Sequence, residues 1–581
     1  MSRQSLRNES EKPNSYNLRI FLLLILIAVF FGLIGIRLFN LQILKHGQYK
    51  QMAENQHGLE ATINPQRGEI YLSPEIHNSQ PLLVATNLTK NMVFAIPREI
   101  TDKKSAATRL APLLDMSSKD LQSRFANPSY VALKKQLTDD VSAKVKALKI
   151  PGIYLEAQDI RFYPEQNLAS QVLGFLGYKG DQRVGQYGIE GKYEKNLAGE
   201  KGTIGSDSNP SGSWISLANR NLVQAKDGDD IYLTLDPEIQ HKAQQVLEDA
   251  VQNHTADGGS VIVLNPKTGA VLAMASAPDF DPNNYGKVTD LSTYSNKVLS
   301  ADYEPGSIFK AITMAASLNE AKVTPDTTFN NMGSEQVDDK IIKNSDPNLF
   351  LGPQNMITVL DESLNTGAMF VEQQIGNDTF KKYVQKFGFG KIIDFDLPGQ
   401  SPGDIANLDR KGDIFFATAS FGQGITVTPL QMAQAYAAIA NGGKMVKPYI
   451  VNKIVHPDGS QDTFGPQPGT DVIDSKTAST LSAMLVDVVE NGHGKKAGVK
   501  GYYIAGKTGT AQVPFKDKSG YDPDKNIGSF IGFGPVDNPQ FVILVRVDGP
   551  KDVKFAESTA APAFGDIASF MLNYLQIPPS R

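Results

Sequence analysis

The stretch EPGSIFK, residues 304–310, contains the residues on which the interpretation of the whole chain rests. Pro305 and Gly306 end any preceding element, and an apolar pattern with helical spacing follows directly. Ser307 and Lys310 are three residues apart, so a helix places them on one face. A serine at a helix start lies where free backbone N–H groups favour developing negative charge, and a neutral lysine beside it can accept its proton. An N-cap serine followed by a solvated lysine has the same spacing, so this motif alone does not identify a nucleophile.

A second motif is SLN at residues 363–365, followed by Thr366 and Gly367. The hydroxyl of Ser363 and the amide of Asn365 stand two residues apart, where a loop lets them relay a proton and hold a peptide carbonyl. All of these residue types are also common in turns, so a plain turn is an equally good reading of this motif alone.

A third motif is KTGT at residues 507–510, inside an alternating pattern that predicts a strand. Gly509 on an edge strand would let the backbone of a substrate approach closely. Lys507, if it lies near Lys310, would lower the pKa of Lys310 and help it to act as a base. A turn with a surface lysine is the alternative reading.

The three motifs gain their meaning from their order. Ser363 follows Ser307 by 56 residues, and Lys507 follows Ser363 by 144, which leaves room for helices between them. The set of Ser-x-x-Lys, Ser-x-Asn and Lys-Thr-Gly occurs in penicillin-binding proteins and class A β-lactamases. We therefore interpret the three motifs as one site.

The chain resembles the class B, high-molecular-mass penicillin-binding proteins, which are peptidoglycan D,D-transpeptidases. The resemblance covers roughly residues 63–575 and is denser in the second half. The strings at 174–190 are similar to the division and sporulation branch, and residues 72–80 replace the Asp-Arg-Asn-Gly turn that usually follows RG-x-I. Further matching strings are YLTLDPEIQ (232–240), GAVLAMASAPDFDPN (269–283), FGFG (387–390), DLPGQ (396–400), SFGQGITVTPLQMAQAYAAIANGG (420–443), ESTAAPAF (557–564), RGEI (67–70), RFYP (161–164) and GQYGIEGKYEKNLAGEKG (185–202).

The expected fold class is α+β. A penicillin-binding transpeptidase domain, with an antiparallel sheet and helices on both faces, is expected at 229–577. The resemblance implies an elongated, mixed N-terminal pedestal of the dimerisation type at 63–225. Within this pedestal VFAI at 93–96 favours a strand, and apolar spacings of three and four predict helices throughout 105–150. Gly, Ser and Asn between 199 and 228 predict a loop or linker.

An apolar run, IFLLLILIAVFFGLIGI at 20–36, predicts one N-terminal transmembrane helix, with anchor and exit at 20–44. A cleaved signal peptide is the alternative, but no small-residue cleavage pattern follows the run. Basic residues in the tail at 1–19 place the N-terminus in the cytoplasm and the bulk outside, as a single-pass protein of the bacterial plasma membrane.

Composition excludes several other classes. The absence of cysteine rules out disulfides, thiolate metal sites and a cysteine nucleophile. The net charge of -5 gives no electrostatic footprint for nucleic acid. The seven histidines lie outside the motifs and form no pair with metal-ligand spacing, so neither a Ser-His-Asp triad nor a metal hydrolase fits, and no metal or cofactor is expected.

The resemblance implies a role for each motif residue. Ser307 would attack the D-Ala-D-Ala carbonyl of a stem peptide, and the acyl group would pass to an amine of a second stem peptide. Lys310 would be the general base, although the acylation base is disputed in this family. Ser363 would carry the proton to the leaving amine, and Asn365 would hold the substrate. The implied substrate-binding residues are Lys507, Thr508, Gly509 and Thr510, and backbone N–H groups of Ser307 and Thr510 would form the oxyanion hole.

Two alternatives to a transpeptidase stay open at this point. A D,D-carboxypeptidase shares the same acylation, and a catalytically idle division scaffold could still bind β-lactams. A class A β-lactamase fits poorly, given the anchor and the large pedestal. The implied partners are peptidoglycan stem peptides, β-lactams as inhibitors, and a multi-pass membrane glycosyltransferase with other division proteins in septal wall synthesis. Contact with that glycosyltransferase is expected through residues 20–44 and roughly 63–225.

Overall fold

The computed structural model describes residues 15–45, 58–73, 80–127, 129–180, 182–207, 221–515, 518 and 520–581. These residues form two units. The first unit comprises the described parts of Met1–Pro65 and Glu200–Lys226, and the second those of Gln66–Gly199 and Asp227–Arg581. The domain limits expected from the sequence stay predictions.

The first unit begins with the helix Ser15–Phe39, which continues as a short π-helical turn, Asn40–Leu44. Residues Ile20–Leu44 have a mean hydropathy of 2.8, and none of this apolar surface is buried. At 1.5 Å per residue these 25 residues span about 37 Å, which exceeds the roughly 30 Å of a hydrocarbon core. Within the described residues this is the single helix long and apolar enough to cross a membrane, and it fits a single-pass anchor.

The first unit also contains a three-stranded antiparallel sheet of Gly58–Ile63, Gly202–Asp207 and Asn221–Val223. The loop predicted for 199–228 is therefore wrong at two segments, while residues 208–220 lie outside the described part. The error has a physical cause, because strand pairing satisfies backbone groups whatever the side chains, and Gly-rich composition disfavours a strand only weakly.

The second unit is built around a five-stranded antiparallel sheet. Its strands lie in the order Val271–Ala277, Gly258–Leu264, Phe541–Asp548, Tyr521–Gly534 and Ala505–Pro514. Ala505–Pro514, called the edge strand below, carries the KTGT motif. Two of these five strands precede the helical middle of the sequence and three follow it, so the sheet joins distant parts of the chain.

Helices cover both faces of this sheet, as expected. Alternate strand residues point to opposite faces. Val261 and Val263 belong to a core with the helices Pro237–Asn253 and Ala560–Tyr574. Ile262 and Leu264, which alternate with them along the strand, point to the opposite face. They belong to a second, larger core that includes the helix Pro429–Ala440.

A second sheet connects segments from both halves of the sequence. Asp230–Leu233 pairs in parallel with Ile70–Leu72 and antiparallel with Val451–Val455. Ile70–Leu72 in turn pairs with the long strand Leu82–Ala95, which extends into the N-terminal part. The N-terminal part from residue 66 therefore shares backbone hydrogen bonds with the half of the chain that carries the three motifs.

The helical prediction for 105–150 is correct in three places and wrong in one. Lys103–Leu114, Ser118–Arg124 and Asp139–Ala147 are helices. Val131–Leu137 is instead a strand paired with Leu82–Ala95. Its two-residue alternation was obscured by the lysines, and pairing with a neighbouring strand outweighs local helix propensity.

Three N-terminal motifs meet at one buried carboxylate, Glu190. Arg67 Nη2 lies 2.5 Å from one of its oxygens and Arg161 Nε 2.6 Å from the other. The Tyr163 hydroxyl donates to the second oxygen at 3.2 Å. Burial alone would raise the pKa of Glu190, but the two guanidinium groups hold it below its ordinary value. The strings RGEI, RFYP and GIE thus each contribute residues to one buried network of ion pairs and hydrogen bonds.

The other elements complete the second unit. The other α-helices are Ser170–Leu173, Gly188–Lys192, Glu194–Ala198, Lys297–Ser300, Lys310–Asn319, Met356–Asp361, Asn365–Ile375, Asn377–Lys386, Asp413–Ser420 and Ser475–Glu490. The 3-10 helices are Pro97–Glu99, Pro282–Lys287, Leu291–Tyr294, Gly306–Phe309, Ala406–Asp409, Lys495–Ala497 and Ala556–Ser558. The other strands are Ile153–Phe162, Phe175–Lys179, Gln182–Gln186, Thr328–Asn331, Ser334–Val337, Lys340–Lys343, Gly352–Asn355, Lys444–Met445, Gln461–Thr463 and Thr470–Asp471.

Candidate active site

Ser307 lies in a 3-10 turn, Gly306–Phe309, that runs directly into the helix Lys310–Asn319. A hydrogen bond from the Tyr436 hydroxyl to the Ile308 carbonyl, at 2.7 Å, holds this turn in place. The structure therefore places Ser307 at the start of a helical segment, as the sequence pattern predicts.

Lys310 is buried, with 1% of its surface exposed. Its Nζ atom donates to Asn365 Oδ1 at 2.8 Å and to the Ser363 carbonyl, and it lies 3.2 Å from Ser363 Oγ. Burial lowers the pKa of Lys310 well below its ordinary value, and the nearby charge of Lys507 lowers it further. The expected effect of Lys507 is thus present, but burial is the larger cause. A lysine in this state is suited to accept a proton.

Ser363 connects the helix Met356–Asp361 to the helix Asn365–Ile375. Its φ of +56° lies in the left-handed region, which few non-glycine residues adopt. The backbone N–H of Ser363 donates to the Leu360 carbonyl at 3.3 Å, closing the turn that aims its side chain at Lys310.

Buried amides that the sequence reading missed hold this loop in place. Asn344 Nδ2 donates to Asn331 Oδ1 at 3.0 Å, and the Thr366 hydroxyl donates to the same oxygen at 2.9 Å. Asn365 Nδ2 donates to the Lys343 carbonyl at 2.8 Å. The hairpin Ser334–Val337 and Lys340–Lys343 lies between Asn331 and Asn344 in sequence, and no motif signals the connection to Asn365.

Lys507 is fully buried on the edge strand. Burial lowers its pKa to about 8, against the opposing effect of the carboxylates of Asp361 and Glu362. Its Nζ atom lies 3.4 Å from both the carbonyl and the hydroxyl oxygen of Thr508. The edge strand therefore presents a partly charged lysine beside a hydroxyl, which suits the binding of a carboxylate.

Gly509 is required by packing inside the protein. A Cβ atom at this position would lie 2.9 Å from Ile308 Cγ2 and 3.0 Å from the Pro305 carbonyl oxygen. The turn of Ser307 thus occupies the space that the sequence analysis assigned to a substrate, and substrate contact by Gly509 stays a prediction. The absence of a side chain lets the edge strand and the turn of Ser307 come together.

Thr510 also adjoins the turn that carries Ser307. A Cβ atom on Gly306, whose φ is +56°, would lie 3.2 Å from the Thr510 carbonyl oxygen. The hydroxyl of Thr510 accepts a hydrogen bond from the backbone N–H of Ala556 at 3.1 Å. The structure thus brings the first and third motifs together around Ser307.

Two acidic residues of the site were missed by the sequence reading. Glu304 is 8% exposed and accepts from the Gly424 backbone N–H at 2.9 Å and from the Tyr521 hydroxyl at 3.0 Å. Glu304 is the first residue of EPGSIFK, and this position was the signal in the sequence that could have identified it. Burial and the neighbouring carboxylate of Asp487 raise the pKa of Asp361 to about 8, and no local pattern announces that pair.

Comparison with known proteins agrees with this geometry. Residues 259–569 match the penicillin-binding protein transpeptidase domain, and residues 62–233 match the penicillin-binding protein dimerisation domain. The chain is 32% identical to Stage V sporulation protein D of Bacillus subtilis, over 97% of this chain and 86% of that protein. It is 30% identical to a protein of Neisseria meningitidis named probable peptidoglycan D,D-transpeptidase PenA, over 98% and 95% of the two chains.

A solved structure with a similar fold is penicillin-binding protein 3 of Mycobacterium tuberculosis in complex with aztreonam. It is 27% identical, with a TM-score of 0.69 over 90% of this chain and 98% of that one. The expected α+β architecture is confirmed. The family match spans more than half of the sequence and includes all eight residues predicted for the site. The chain therefore belongs to the class B high-molecular-mass penicillin-binding proteins, with a transpeptidase domain and a dimerisation domain.

Proposed function

We propose that this protein is a peptidoglycan D,D-transpeptidase that cross-links stem peptides through an acyl-enzyme on Ser307. The observation that carries the proposal is the position of the Lys310 Nζ atom, buried and in contact with both Ser363 and Asn365. Lys507 lies close enough to lower the pKa of Lys310. One buried amine thus connects the three motifs.

In the acylation step, Ser307 Oγ attacks the carbonyl carbon of the D-Ala-D-Ala peptide bond. Neutral Lys310 accepts the serine proton, and its lowered pKa favours this neutral form. Ser363 Oγ, 3.2 Å from Lys310 Nζ, passes a proton to the leaving nitrogen. The C–N bond breaks, D-Ala departs as the free amino acid, and the ester on Ser307 remains.

In the second step, an amine of another stem peptide attacks the ester carbonyl. The amine loses a proton along the same route in reverse, and Ser307 leaves with its hydroxyl restored. Asn365 would hold the substrate, while Lys507 and Thr508, with Thr510, would bind the terminal carboxylate. Lys507 supports this assignment, because it is buried and, with a pKa of about 8, still carries a positive charge below that pH.

The test uses the full-length protein in detergent, a stem pentapeptide ending in D-Ala-D-Ala, and an added acceptor amine. A cross-linked product supports the transpeptidase. A tetrapeptide released as free acid, with no cross-link, identifies a carboxypeptidase. A β-lactam adduct without either product identifies a non-catalytic scaffold. Ser307→Ala is the matched control and should give neither adduct nor product.

We propose that the N-terminus is cytoplasmic and that the catalytic unit lies on the opposite, extracytoplasmic side of the membrane. The basic residues of the tail at 1–19 support this orientation. Because the chain has no cysteine, single cysteines introduced as Ser5→Cys or Asp339→Cys are unique probes. In intact cells a membrane-impermeant thiol reagent should label the Asp339 variant alone, and labelling of the Ser5 variant alone would reverse the orientation.

We propose a septal role beside a multi-pass membrane glycosyltransferase, contacted through residues 20–44 and roughly 63–225. Cross-linking needs newly made glycan strands, and this requirement supports a polymerising partner close by. One variant would exchange the anchor for an unrelated single-span helix, and a second would exchange the pedestal for that of a distant relative. Loss of co-purification in either variant supports the contact, whereas full co-purification and full function of both would contradict it.

A further inference from the structure

A histidine outside the three motifs lies between two carboxylates beside the active site. His493 Nδ1 is 3.1 Å from Glu557 Oε2, and its Nε2 is 3.5 Å from Glu362 Oε2. The backbone N–H of His493 donates to the Asp361 carbonyl at 3.3 Å. The ring therefore contacts two acidic residues that are 195 positions apart in the sequence.

The two carboxylates belong to different parts of the site. Glu362 directly precedes Ser363, the proposed proton carrier. Glu557 lies in the turn Ala556–Ser558, whose first N–H donates to the hydroxyl of Thr510 at 3.1 Å. The histidine ring thus connects the loop of the second motif with the segment that supports the third.

The position of the ring is set by its backbone. A Cβ atom on Gly492 would lie 2.8 Å from both Cα and the carbonyl oxygen of Asp361. Only a residue without a side chain can pack so closely there, so the segment before His493 rests directly on the residue before Glu362. The backbone at His493 is therefore fixed beside the second motif, and the ring reaches the two carboxylates from there.

The protonation state of the ring decides how many of these contacts are favourable. A neutral imidazole has one N–H donor and one acceptor nitrogen, whereas the imidazolium has two donors. Both ring nitrogens of His493 face carboxylate oxygens. Only the protonated ring can therefore attract Glu362 and Glu557 at once.

We propose that protonated His493 is a positioning residue that holds the Ser363 loop and the Thr510 segment in register for acylation. This inference rests on the proposed acyl-enzyme at Ser307. The bridge requires the imidazolium, because a neutral ring can hold only one of the two segments.

Other charged groups lie around this bridge, but they do not reverse the attraction between the protonated ring and the two carboxylates. Among the described residues, the charged groups recorded in contact with the ring are carboxylates, and Lys496 Nζ is directed to Ser558 Oγ at 3.3 Å. Deprotonation of the ring therefore removes an attraction. The charged residues on the elements around it are Asp361, Glu362, Lys476, Asp487, Glu490, Lys495, Lys496, Lys507 and Glu557.

The test measures the second-order rate of acylation by a fluorescent penicillin, with full-length protein in detergent, from pH 5.5 to 8.5. His493→Gln should acylate about two- to fivefold more slowly at the acidic end, the range that one exposed ion pair supports. The difference should shrink towards unity at the alkaline end. A rate ratio of unity at every pH, or a reduced ratio that does not vary with pH, would overturn the proposal.

His456→Gln is the matched control. His456 also lies between two carboxylates, 2.8 Å from Asp229 and 3.4 Å from Asp462, but it directly follows the strand Val451–Val455 of the second sheet, and the ion pairs recorded for its ring among the described residues join it to no site residue. Its substitution should leave the acylation rate unchanged at every pH.

A second variant keeps the test decisive if His493→Gln folds poorly. Glu557→Gln alters a side chain that is 41% exposed, and it should reproduce the acidic-pH defect. Combined with His493→Gln it should add little further loss, because both changes remove the same contact. Independent, additive losses would contradict the bridge. Failure of the unmodified protein to acylate at all would instead contradict the proposed function.

Discussion

The Nζ atom of Lys310 lies 2.8 Å from Oδ1 of Asn365, although the two residues are 55 positions apart in the sequence. This contact places the proposed base inside the second motif. It also keeps the lysine buried, which lowers its pKa more than the neighbouring charge of Lys507 does. Activation of Ser307 is therefore a property of the assembled site.

We expect Ser307 alone to be acylated by β-lactams, because its turn adjoins both the edge strand and Lys310. Peptide mapping after exposure to a labelled β-lactam locates the adduct. Ser307→Ala should carry no label, while Ser363→Ala should still label Ser307 at a reduced rate. An adduct on Ser363, or one that survives in Ser307→Ala, would refute the assignment of the nucleophile.

We expect Lys310→Arg to be as damaging as Lys310→Ala. A general base must lose its proton before the reaction, and arginine does not do so in proteins. General-base catalysis contributes about 10²- to 10⁴-fold, so both variants should lose acylation on that scale. Stopped-flow measurement with a chromogenic β-lactam gives the rates. If the arginine variant retained most of the rate, Lys310 would act through its charge only.

We expect Tyr521→Phe to slow acylation and lower stability, because its hydroxyl donates to the buried carboxylate of Glu304 at 3.0 Å. Glu304 lies three residues before Ser307, while Tyr521 begins the strand that pairs with the edge strand. A hydrogen bond to a charged group contributes about 1.5–3 kcal/mol, so the unfolding free energy should fall by up to this amount. Thermal unfolding and acylation kinetics measure both effects. Tyr178→Phe, at an exposed pedestal position, is the control and should change neither.

We expect Asp361→Asn to stabilise the protein by a margin that grows with pH. The folded protein raises the pKa of Asp361 to about 8, so the folded state retains a proton that the unfolded state releases above the ordinary range of a carboxyl group. Stability of the unmodified protein is therefore lost as pH rises towards 8, and asparagine removes this dependence. Thermal unfolding at pH 5, 6, 7 and 8 tests it. Asp339→Asn, at an 80% exposed side chain, should show no such trend, and an equal trend there would contradict the explanation.

Much of the element pattern was predictable, because helices and strands of the catalytic half have strong local periodicity. Apolar spacing predicts a helix at 237–254 and two strands joined by a turn at 260–276, and the structure has the helix Pro237–Asn253 and the strands Gly258–Leu264 and Val271–Ala277 there. The strand Val131–Leu137 was not predictable in this way, because its pairing partner begins about fifty residues earlier. Local spacing cannot report a partner at that distance.

The sequence by itself determined the chemistry that the site can perform. Ser307, Lys310 and the two later motifs are readable because their spacing is set by the helical turn and by short loops, which are local properties. The same reasoning identified the apolar anchor, since length and hydropathy alone decide whether a helix can cross a bilayer.

Only the tertiary structure decided how these groups are activated and held. Burial, which lowers the pKa of both lysines, depends on residues from distant segments. The packing of Gly509 against the turn of Ser307 and the position of His493 between Glu362 and Glu557 likewise join residues far apart in the chain. Such contacts arise when the whole core forms, because desolvation and close packing are properties of the folded chain and not of any short stretch of it.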